Sequence, residues 1–369
     1  MKIILFDQFG AGSTYSGPGN YFANLFRANN QKQFSVKLVH GNKNQKQLPC
    51  FDQIVMPSLA GGVFNNAIFG YKSAQYLKNN KDYDVFQSTH CYMTSILAAK
   101  QSIKNDKPTF LRIAKSNSEL ENRNNLSKLF NLSKKKVEVI NTCQGIVAIS
   151  TQIKNELLKK GVSENKIHFI PNGVDIKKFC PEAISDNIQC DFFNESNVIG
   201  FCGEIVERKQ PHLILQALAE LDLHYKLCLI GPYNKNSPYI KYLHRLIDDL
   251  KLKERVLFVG YTTQPEMYLR KCNFFCLPSK CEGMPNALLE AMASGCIPIS
   301  TNVSGVADII ASNEYGFVIN SSVFDIVSCV NAGASKLNFF KENARKRIVE
   351  NFSSQKAFDS YMQMYRGFI

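Results

Sequence analysis

Short apolar runs alternate with helix-length segments along nearly the whole chain, and this alternation is what most constrains the fold. Segments such as 211–221 and 239–251 show helical periodicity between the runs. Apolar strands separated by helices are typical of parallel sheets covered on both faces. The pattern predicts an α/β protein with two Rossmann-like domains. The strand-like runs form two series: 2–6, 35–40, 85–89, 109–114, 145–150 and 167–171, then 198–203, 226–231, 256–260, 273–278, 296–301 and 316–320.

The division into domains follows from where this periodicity is lost. It disappears near 176–196, so we predict one domain over 1–176 and a second over 177–350. The last stretch, 351–369, is predicted to be a helix that packs back on the first domain. A length of 369 residues suits two domains of ordinary size.

Several classes of protein are disfavoured by composition. No stretch reaches the roughly 20 apolar residues of a membrane span. The opening run MKIILF is interrupted by Asp7 and no apolar region follows, so we expect a buried first strand rather than a signal peptide, and a cytosolic protein. The 12 cysteines form no CxxC pair with partner histidines, which favours reduced thiols over a zinc site.

The basic charge is concentrated in the first half of the chain. Residues 1–176 carry 23 Lys+Arg and 11 Asp+Glu, whereas 177–369 carry the remaining 21 and 20 of the totals of 44 and 31. No nucleic-acid-binding motif is recognisable, so we expect no nucleic-acid partner. An anionic membrane surface is the partner we expect instead. The segment 122–140 sets Leu126, Leu129, Phe130 and Leu132 among basic residues, as an interfacial helix or an ordinary surface helix would.

The stretch CEGMPNALLEAMASG, residues 281–295, places two acids eight residues apart. We predict a helix that stops at Gly295 and has Asn286 as a candidate N-cap, with Pro285 in the first turn as the alternative. A strand, a loop and a helix N-terminus form the usual anion site of an open α/β sheet. Glu282 on the loop and Glu290 in the helix could each bind hydroxyls beside that anion, which describes a nucleotide sugar. A loop acid beside a solvated helix glutamate is the alternative.

A family resemblance comes from five motifs in order: PNGVD (171–175), RKQPHLILQAL (208–218), LIG (229–231), FVGY (258–261) and LPSKCEGMPNALLEAMASGCIPIST (277–301). They resemble the retaining family-4 glycosyltransferases, whose E-x7-E motif would be Glu282 and Glu290. The resemblance implies the GT-B fold, in which two Rossmann-like domains face a cleft.

The resemblance also assigns roles to the two domains and their residues. The second domain would hold the nucleotide-sugar donor, and the first would bind the acceptor. Glu282, contacting donor hydroxyls, and Lys209, pairing with the diphosphate, would be catalytic. No metal ion and no cofactor is implied. Donor-binding roles are implied for Arg208, Gly283, Met284, Pro285, Asn286, Ala287, Leu288, Glu290 (on the ribose diol), Gly17, Gly19, Gly203 and Asn172.

The chain departs from the family pattern at two positions. Glu204 stands where an arginine is usual, and Ala114 stands where many members have a histidine. Asp82 and Asp84 form a D-x-D sequence, which we interpret as surface acids that precede a strand rather than a metal site. His90 follows a strand end, and its position suits either a binding residue or a satisfied structural histidine.

The sequence therefore predicts a retaining glycosyltransferase that moves a hexose from a UDP- or GDP-linked donor. The expected acceptor is lipid-linked or an oligosaccharide in surface polysaccharide biosynthesis, such as O-antigen, capsule or lipopolysaccharide. The expected location is cytoplasmic, peripheral to the inner face of the membrane. A non-catalytic nucleotide-sugar-binding subunit and a nucleotide-sugar epimerase are the alternatives.

Overall fold

The computed structural model describes residues 1–10, 17–28, 34–42, 48, 51–56, 63–115, 119–121, 131–182, 191–194 and 197–369, except for the side chains of 63–65. The chain divides into two compact units. Unit 1 contains Met1–Asn172 and Ser354–Ile369, and unit 2 contains Gly173–Ser353.

Unit 1 is built on a parallel sheet in the order β3-β2-β1-β4-β5-β6-β7. The first six predicted strands are confirmed to within two residues at each end. β3 was not predicted, because it is a short, partly exposed edge strand whose first two residues are polar. Its strands are β1 (Lys2–Asp7), β2 (Ser35–His40), β3 (Asp52–Val55), β4 (Val85–Ser88), β5 (Thr109–Ile113), β6 (Gly145–Ala148) and β7 (Ile167–Phe169).

The helices of unit 1 include the last helix of the chain. That helix packs on α1 through Phe22 and Tyr361, whose ring centroids are 5.2 Å apart. The hydroxyl of Tyr365 donates to Gln87 of β4 at 3.0 Å. The described helices are α1 (Gly17–Ala28), α2 (Val63–Asn79), α3 (Met93–Lys104), α4 (Leu132–Thr142), α5 (Thr151–Lys159) and, at the end of the chain, α13 (Ser354–Arg366).

Unit 2 has a second parallel sheet, in the order β10-β9-β8-β11-β12-β13. Its six predicted strands are confirmed to within one residue at each end, because most of them are buried apolar runs. The strands are β8 (Asn197–Cys202), β9 (Tyr225–Ile230), β10 (Val256–Gly260), β11 (Phe274–Leu277), β12 (Ile297–Thr301) and β13 (Phe317–Ile319). Two parallel sheets with covering helices confirm the predicted α/β class.

Four helices of unit 2 have a proline at their first residue or immediately before it. Pro285, with ψ 105°, is the N-cap of α9, so the predicted N-cap role of Asn286 is wrong. Asn286 is instead the first helical residue, one position after an extended proline. The helices are α6 (Pro211–Glu220), α7 (Pro238–Asp249), α8 (Pro265–Leu269), α9 (Asn286–Ala293), α10 (Val306–Ile309), α11 (Val323–Ala334) and α12 (Leu337–Asn351). Short 3-10 turns span Glu164–Lys166, Asp191–Phe193, Glu207–Lys209 and Lys253–Arg255.

Each sheet has one point where the strand order reverses. The reversal lies between β1 and β4 in unit 1 and between β8 and β11 in unit 2. Ligands of doubly wound sheets bind outside the carboxyl ends of the strands at this switch point. The loops that follow β1, β4, β8 and β11 are therefore the first places to look for a site.

Three further expectations can be compared with the described residues. Among the described residues, no helix is long and apolar enough to cross a bilayer. The ten cysteines that lie in described segments are all free thiols. Asp82 and Asp84 both contact Lys2 at the surface, which fits acids that precede a strand.

Candidate active site

Glu282 lies on the loop between β11 and α9, and one of its two carboxylate oxygens is held by three neighbours. Oε1 accepts from the hydroxyl of Ser279 at 2.9 Å and from Nη1 of Arg208 at 3.2 Å. Nζ of Lys209 lies 3.7 Å from the same oxygen. Oε2 has no hydrogen bond within the described segments. The carboxylate is thus fixed by one oxygen, and the other can accept hydrogen bonds from a ligand.

Arg208 and Lys209 belong to the 3-10 turn Glu207–Lys209, which is tied to the Glu282 loop. The backbone N–H of Lys280 donates to the carbonyl of Arg208 at 2.9 Å. Arg208 in turn donates from Nη1 to the carbonyl of Cys281. These contacts join two segments that are more than 70 residues apart in sequence, so the two cations and the carboxylate form one rigid group.

Gly203, at the carboxyl end of β8, makes room for Lys209. Its φ of +140° is a conformation that other residues rarely adopt. A Cβ at this position would collide with Nζ of Lys209. Only glycine therefore lets the Lys209 amine lie against the strand end at the switch point.

Glu204 does not neutralise these cations. Its side chain is exposed, and no ion pair of Glu204 is found among the described residues. Arg208 and Lys209 are paired with Glu282 instead. The acid that replaces the usual arginine therefore leaves the positive group intact.

Most of the residues at the start of α9 and just before it are buried. Leu288 is fully buried, and its N–H donates to the carbonyl of Pro285 at 3.1 Å, so its predicted contact with a donor is not available through that group. Met284 is buried too, because Gly305 lies against it: a Cβ on Gly305 would come within 2.9 Å of its Cα. Gly283 and Pro285 are also buried, whereas Asn286 and Ala287 are partly exposed. The helix N-terminus, with its partial positive charge, is thus held rigidly beside Glu282.

Glu290 lies one turn into α9 and is half-buried. Burial raises the pKa of Glu290 to about 7, and the neighbouring Glu266 adds to the rise, whereas Lys178 and Lys209 oppose it. Lys178 also forms an ion pair with Glu266 at 3.4 Å. A carboxyl group with a pKa near neutrality is poised to ionise when a ligand donates hydrogen bonds to it.

Three residues near this group were not predicted from the sequence. Ser279 lay inside the quoted motif but was not singled out, although its hydroxyl orients Glu282. Lys178 and Glu266 reach Glu290 from segments far away in sequence. Arg270 fixes Lys178 by donating to its backbone carbonyl at 2.7 Å. The pair Lys178 and Glu266 could be recognised only from the structure.

The remaining predicted donor contacts lie in unit 1. Gly17 and Gly19 form the first turn of α1, and residues 11–16, which include much of the predicted glycine-rich loop, lie outside the described residues. Asn172 is buried, and its Oδ1 accepts from Arg112 at 2.7 Å. Their predicted roles toward a donor stay predictions.

The predicted interfacial segment is only partly described. Leu126, Leu129 and Phe130 lie outside the described residues, and Leu132 begins α4. Lys136 is buried and donates to the backbone carbonyl of Glu119. It is therefore a structural residue and cannot meet a membrane surface.

Fold and site together define the class. Two Rossmann-like sheets, with carboxylates and cations grouped at the switch point of the second, are the arrangement of a GT-B glycosyltransferase. Two family profiles match the chain, "Glycosyl transferases group 1" over residues 186–350 and "Glycosyltransferase Family 4" over 15–178. The chain therefore belongs to the family-4 glycosyltransferases, which are transferase enzymes.

Curated relatives of this chain are named as glycosyltransferases, one of them of capsular polysaccharide biosynthesis. The capsular polysaccharide biosynthesis glycosyltransferase CapM of Staphylococcus aureus is 26% identical over 61% of this chain and 62% of its own length. An Escherichia coli UDP-Gal:α-D-GlcNAc-diphosphoundecaprenol α-1,3-galactosyltransferase is 29% identical over 55% of each chain. The chain thus spans about half to three fifths of the length of these two relatives.

Solved structures share the fold along the whole chain. HepE of Anabaena, solved with UDP and glucose, superposes with a TM-score of 0.79 at 17% identity, covering 100% of both chains. The lipopolysaccharide outer core galactosyltransferase WaaB gives a TM-score of 0.72 at 18% identity, again over 100% of both. At these identities the likeness concerns the fold alone.

Proposed function

We propose that this protein is a retaining glycosyltransferase that moves a hexose from a nucleotide sugar to a lipid-linked or oligosaccharide acceptor in surface polysaccharide biosynthesis. One observation carries the proposal. Glu282, Arg208 and Lys209 form a fixed group at the start of α9, and Glu290 lies one turn further on the same helix. Carboxylates bind sugar hydroxyls, and cations beside a helix N-terminus bind a diphosphate.

The donor is proposed to be a UDP-hexose. The name of the E. coli relative specifies UDP-Gal, and HepE is described with UDP, with UDP-glucose, and with UDP and glucose. In the proposed complex Oε2 of Glu282 accepts from the hexose hydroxyls and Glu290 accepts from the ribose diol. GDP-linked sugars are the competing donor class, and the assay below compares them.

Transfer with retention needs no side-chain base in this arrangement. The acceptor hydroxyl attacks the anomeric carbon from the face that the diphosphate leaves, and the departing diphosphate takes the hydroxyl proton. Negative charge develops on the leaving group as the glycosidic bond breaks. Lys209 and the N-terminus of α9 stabilise that charge, which is the usual means of catalysis where few groups move.

The acceptor is proposed to be a sugar on a polyprenyl diphosphate. The E. coli relative named above and a Campylobacter jejuni relative, 28% identical over 43% of this chain, both carry a diphosphoundecaprenol-linked acceptor in their names. A lipid-linked acceptor would bring the protein to the cytoplasmic face of a membrane. The basic excess of residues 1–176 supports such a location.

Membrane docking through α4 is tested with charge reversals that the structure selects. Lys134 and Lys135 are exposed, whereas Lys136 is buried. The double variant Lys134→Glu/Lys135→Glu is expected to lower recovery on anionic vesicles, since each basic residue near such a surface contributes about 1 kcal/mol. Lys251→Glu/Lys253→Glu in unit 2 is the matched control. Equal recovery of both double variants and wild type would contradict docking at α4.

The reaction itself is tested with UDP- and GDP-hexoses and an N-acetylglucosaminyl diphosphate that carries an undecyl chain. Proton NMR of the product gives the anomeric configuration. We expect transfer from a UDP-hexose with an α donor giving an α product. A β product would contradict retention. Conversion of the donor without acceptor would indicate an epimerase, and binding without turnover would indicate a non-catalytic subunit.

A further inference from the structure

Unit 1 has its own switch point, between β1 and β4, where a second group of side chains meets. Asp7 ends β1, and Thr89 and His90 follow β4 in the loop that leads into α3. This is the same strand–loop–helix position in unit 1 that Glu282 occupies in unit 2. Ligands of doubly wound sheets bind at such positions.

The loop that carries His90 is anchored by buried charged residues. Arg112 donates from Nη1 to the carbonyl of Thr89 at 3.3 Å. Glu119 accepts from the N–H of Cys91 at 2.6 Å. Both Arg112 and Glu119 are about 99% buried, each with 1% exposure. The loop is therefore as rigidly held as the Glu282 loop.

A chain of hydrogen bonds that runs from Asp7 through Thr89 determines which ring nitrogen of His90 carries a proton. Asp7 accepts from the N–H groups of Phe9 and Gly10 through Oδ1, and from the hydroxyl of Thr89 at 2.6 Å through Oδ2. Because the Thr89 proton points to Asp7, its oxygen accepts from Nδ1 of His90 at 2.8 Å. In the neutral ring the other nitrogen, Nε2, is then an acceptor.

Nε2 of His90 differs from the corresponding atom of a structural histidine in the same unit. Nε2 of His168 is buried without a partner, between Phe110 and Phe368. Nε2 of His90 has no hydrogen bond among the described residues, yet it is not one of the buried atoms that lack a partner. The His90 side chain is 8% exposed, so Nε2 is an oriented hydrogen-bond acceptor on a mostly buried ring that keeps a small opening to solvent.

Aromatic rings surround this acceptor. The ring of Tyr92 stacks on His90 at 5.1 Å with an interplanar angle of 20°. Phe9, 37% exposed, meets the ring of His90 edge-on at 5.8 Å. Apolar rings with one well-placed polar atom are typical of small-molecule sites. The described residues of this group include no unpaired positive charge, so the group suits a neutral ligand such as a sugar.

We propose that Phe9, His90 and Tyr92 form a sugar-binding subsite for the acceptor, in which Nε2 of His90 accepts a hydrogen bond from a sugar hydroxyl. This inference rests on the proposed transferase function. Asp7 and Thr89 are positioning residues, which hold His90 in the tautomer that leaves Nε2 unprotonated. Phe9 and Tyr92 contact the apolar face of the sugar.

The experiment compares His90→Phe, which keeps the aromatic packing but removes Nε2, with His90→Gln, which keeps a polar group near that place. His168→Phe is the matched control. The probe is the undecyl N-acetylglucosaminyl diphosphate, with a UDP-hexose as donor. We expect His90→Phe to lower kcat/KM for the acceptor about tenfold, His90→Gln to restore part of it, and His168→Phe to leave it unchanged. Stabilisation by UDP should be the same in all three.

A second readout is independent of turnover. Two-bond proton–nitrogen NMR of histidine-labelled protein shows six histidines, and the His90 signals are those that vanish in His90→Phe. We expect an unprotonated Nε2 in the free protein and a shift of that resonance on adding the probe. A protonated Nε2, or an Nε2 that the probe does not shift, would overturn the subsite. Loss of UDP stabilisation in wild type would instead count against the proposed function.

Discussion

The two switch points of this molecule use the same backbone architecture for opposite chemistry. In unit 2 the loops after β8 and β11 bring together Arg208, Lys209 and Glu282, with cations in excess of the one acid. In unit 1 the loops after β1 and β4 bring together Asp7 and His90, with the acid satisfied by N–H and O–H donors. On the two proposals made above, side chains at the strand ends, rather than the sheet, decide whether a Rossmann-like unit binds an anion or a neutral ligand.

Net charge does not reveal this division. The excess of basic residues lies in 1–176, whereas 177–369 is nearly neutral. The partly exposed cations Arg208 and Lys209 nevertheless belong to unit 2, and Arg112 at the switch point of unit 1 is buried. The pairing of charged side chains at a site therefore predicts binding better than the net charge of the domain. The substitutions below test this difference between the two units, from the largest expected effect to the smallest.

The largest effect is expected for Lys209→Ala. Loss of the amine should lower kcat by about 100- to 1,000-fold, since removal of one group that stabilises a developing anion has this effect in other enzymes. Steady-state kinetics with a UDP-hexose measures it. A normal kcat in the Lys209→Ala variant would contradict the assignment of an anion site in unit 2.

Glu282→Gln is expected to separate binding from catalysis. The change removes the counter-charge of Arg208 and Lys209, so UDP should bind as tightly as before or more tightly. Transfer should fall about 10- to 100-fold, the value of a hydrogen bond to a charged group. Calorimetric titration with UDP and a transfer assay measure the two effects. A parallel loss of both would show that Glu282 supports the fold of the loop rather than the sugar.

Donor affinity is expected to depend on the ionisation of Glu290. Its pKa is about 7 in the free protein, and ribose hydroxyls favour the ionised form. Affinity for a UDP-hexose should therefore rise about tenfold between pH 6 and pH 8. A UDP-hexose suits this experiment because its diphosphate diester does not change its ionisation between pH 6 and pH 8. Glu290→Gln should make the profile flat, and a profile that remains steep in this variant would assign the dependence elsewhere.

The same ionisation affects stability in the opposite direction. A carboxyl group whose pKa is raised by folding stabilises the folded state fully below its ordinary value of 4.5. That contribution is lost as the pH rises through about 7. At alkaline pH, Glu290→Gln should therefore raise the stability of the free protein, whereas it should weaken binding of the donor.

The smallest effect concerns the fold at the site. Gly203→Ala combines a strained φ of +140° with a collision against Lys209. It should lower the free energy of unfolding by about 1–3 kcal/mol. The control is the same change made beside Lys209→Ala, which keeps the φ of +140° but removes the amine that the new Cβ would meet. Denaturant melts compare the loss caused by Gly203→Ala in the two backgrounds, and equal losses would show that the contact with Lys209 contributes nothing to it.

Much of the architecture could be predicted from the sequence, because buried parallel strands are continuous apolar runs. β3 was not predicted, since a short edge strand carries no such apolar run. The start of α9 was misplaced by one residue because a proline can precede a helix as well as begin it. Glu282 and Glu290 were found because a motif of fixed spacing carries them.

Contacts between distant segments set the limit of sequence reasoning. Lys178 and Glu266 influence Glu290 only because the fold brings a loop and α8 beside α9. His90 was considered, but its position became informative only once the strand order placed β4 beside β1. The relay from Asp7 through Thr89 depends on the same pairing.

The central claim is that the switch point of unit 2 binds the nucleotide of a sugar donor. The measurement that tests it most directly is thermal stabilisation of the purified protein by UDP, GDP, ADP, CMP and their common sugars, with Glu290→Gln beside wild type. Bound ligand raises the melting temperature by mass action. We predict a shift with UDP and UDP-hexoses that Glu290→Gln reduces or abolishes. No shift with any nucleotide, or an equal shift in the variant, would contradict the assignment of this site.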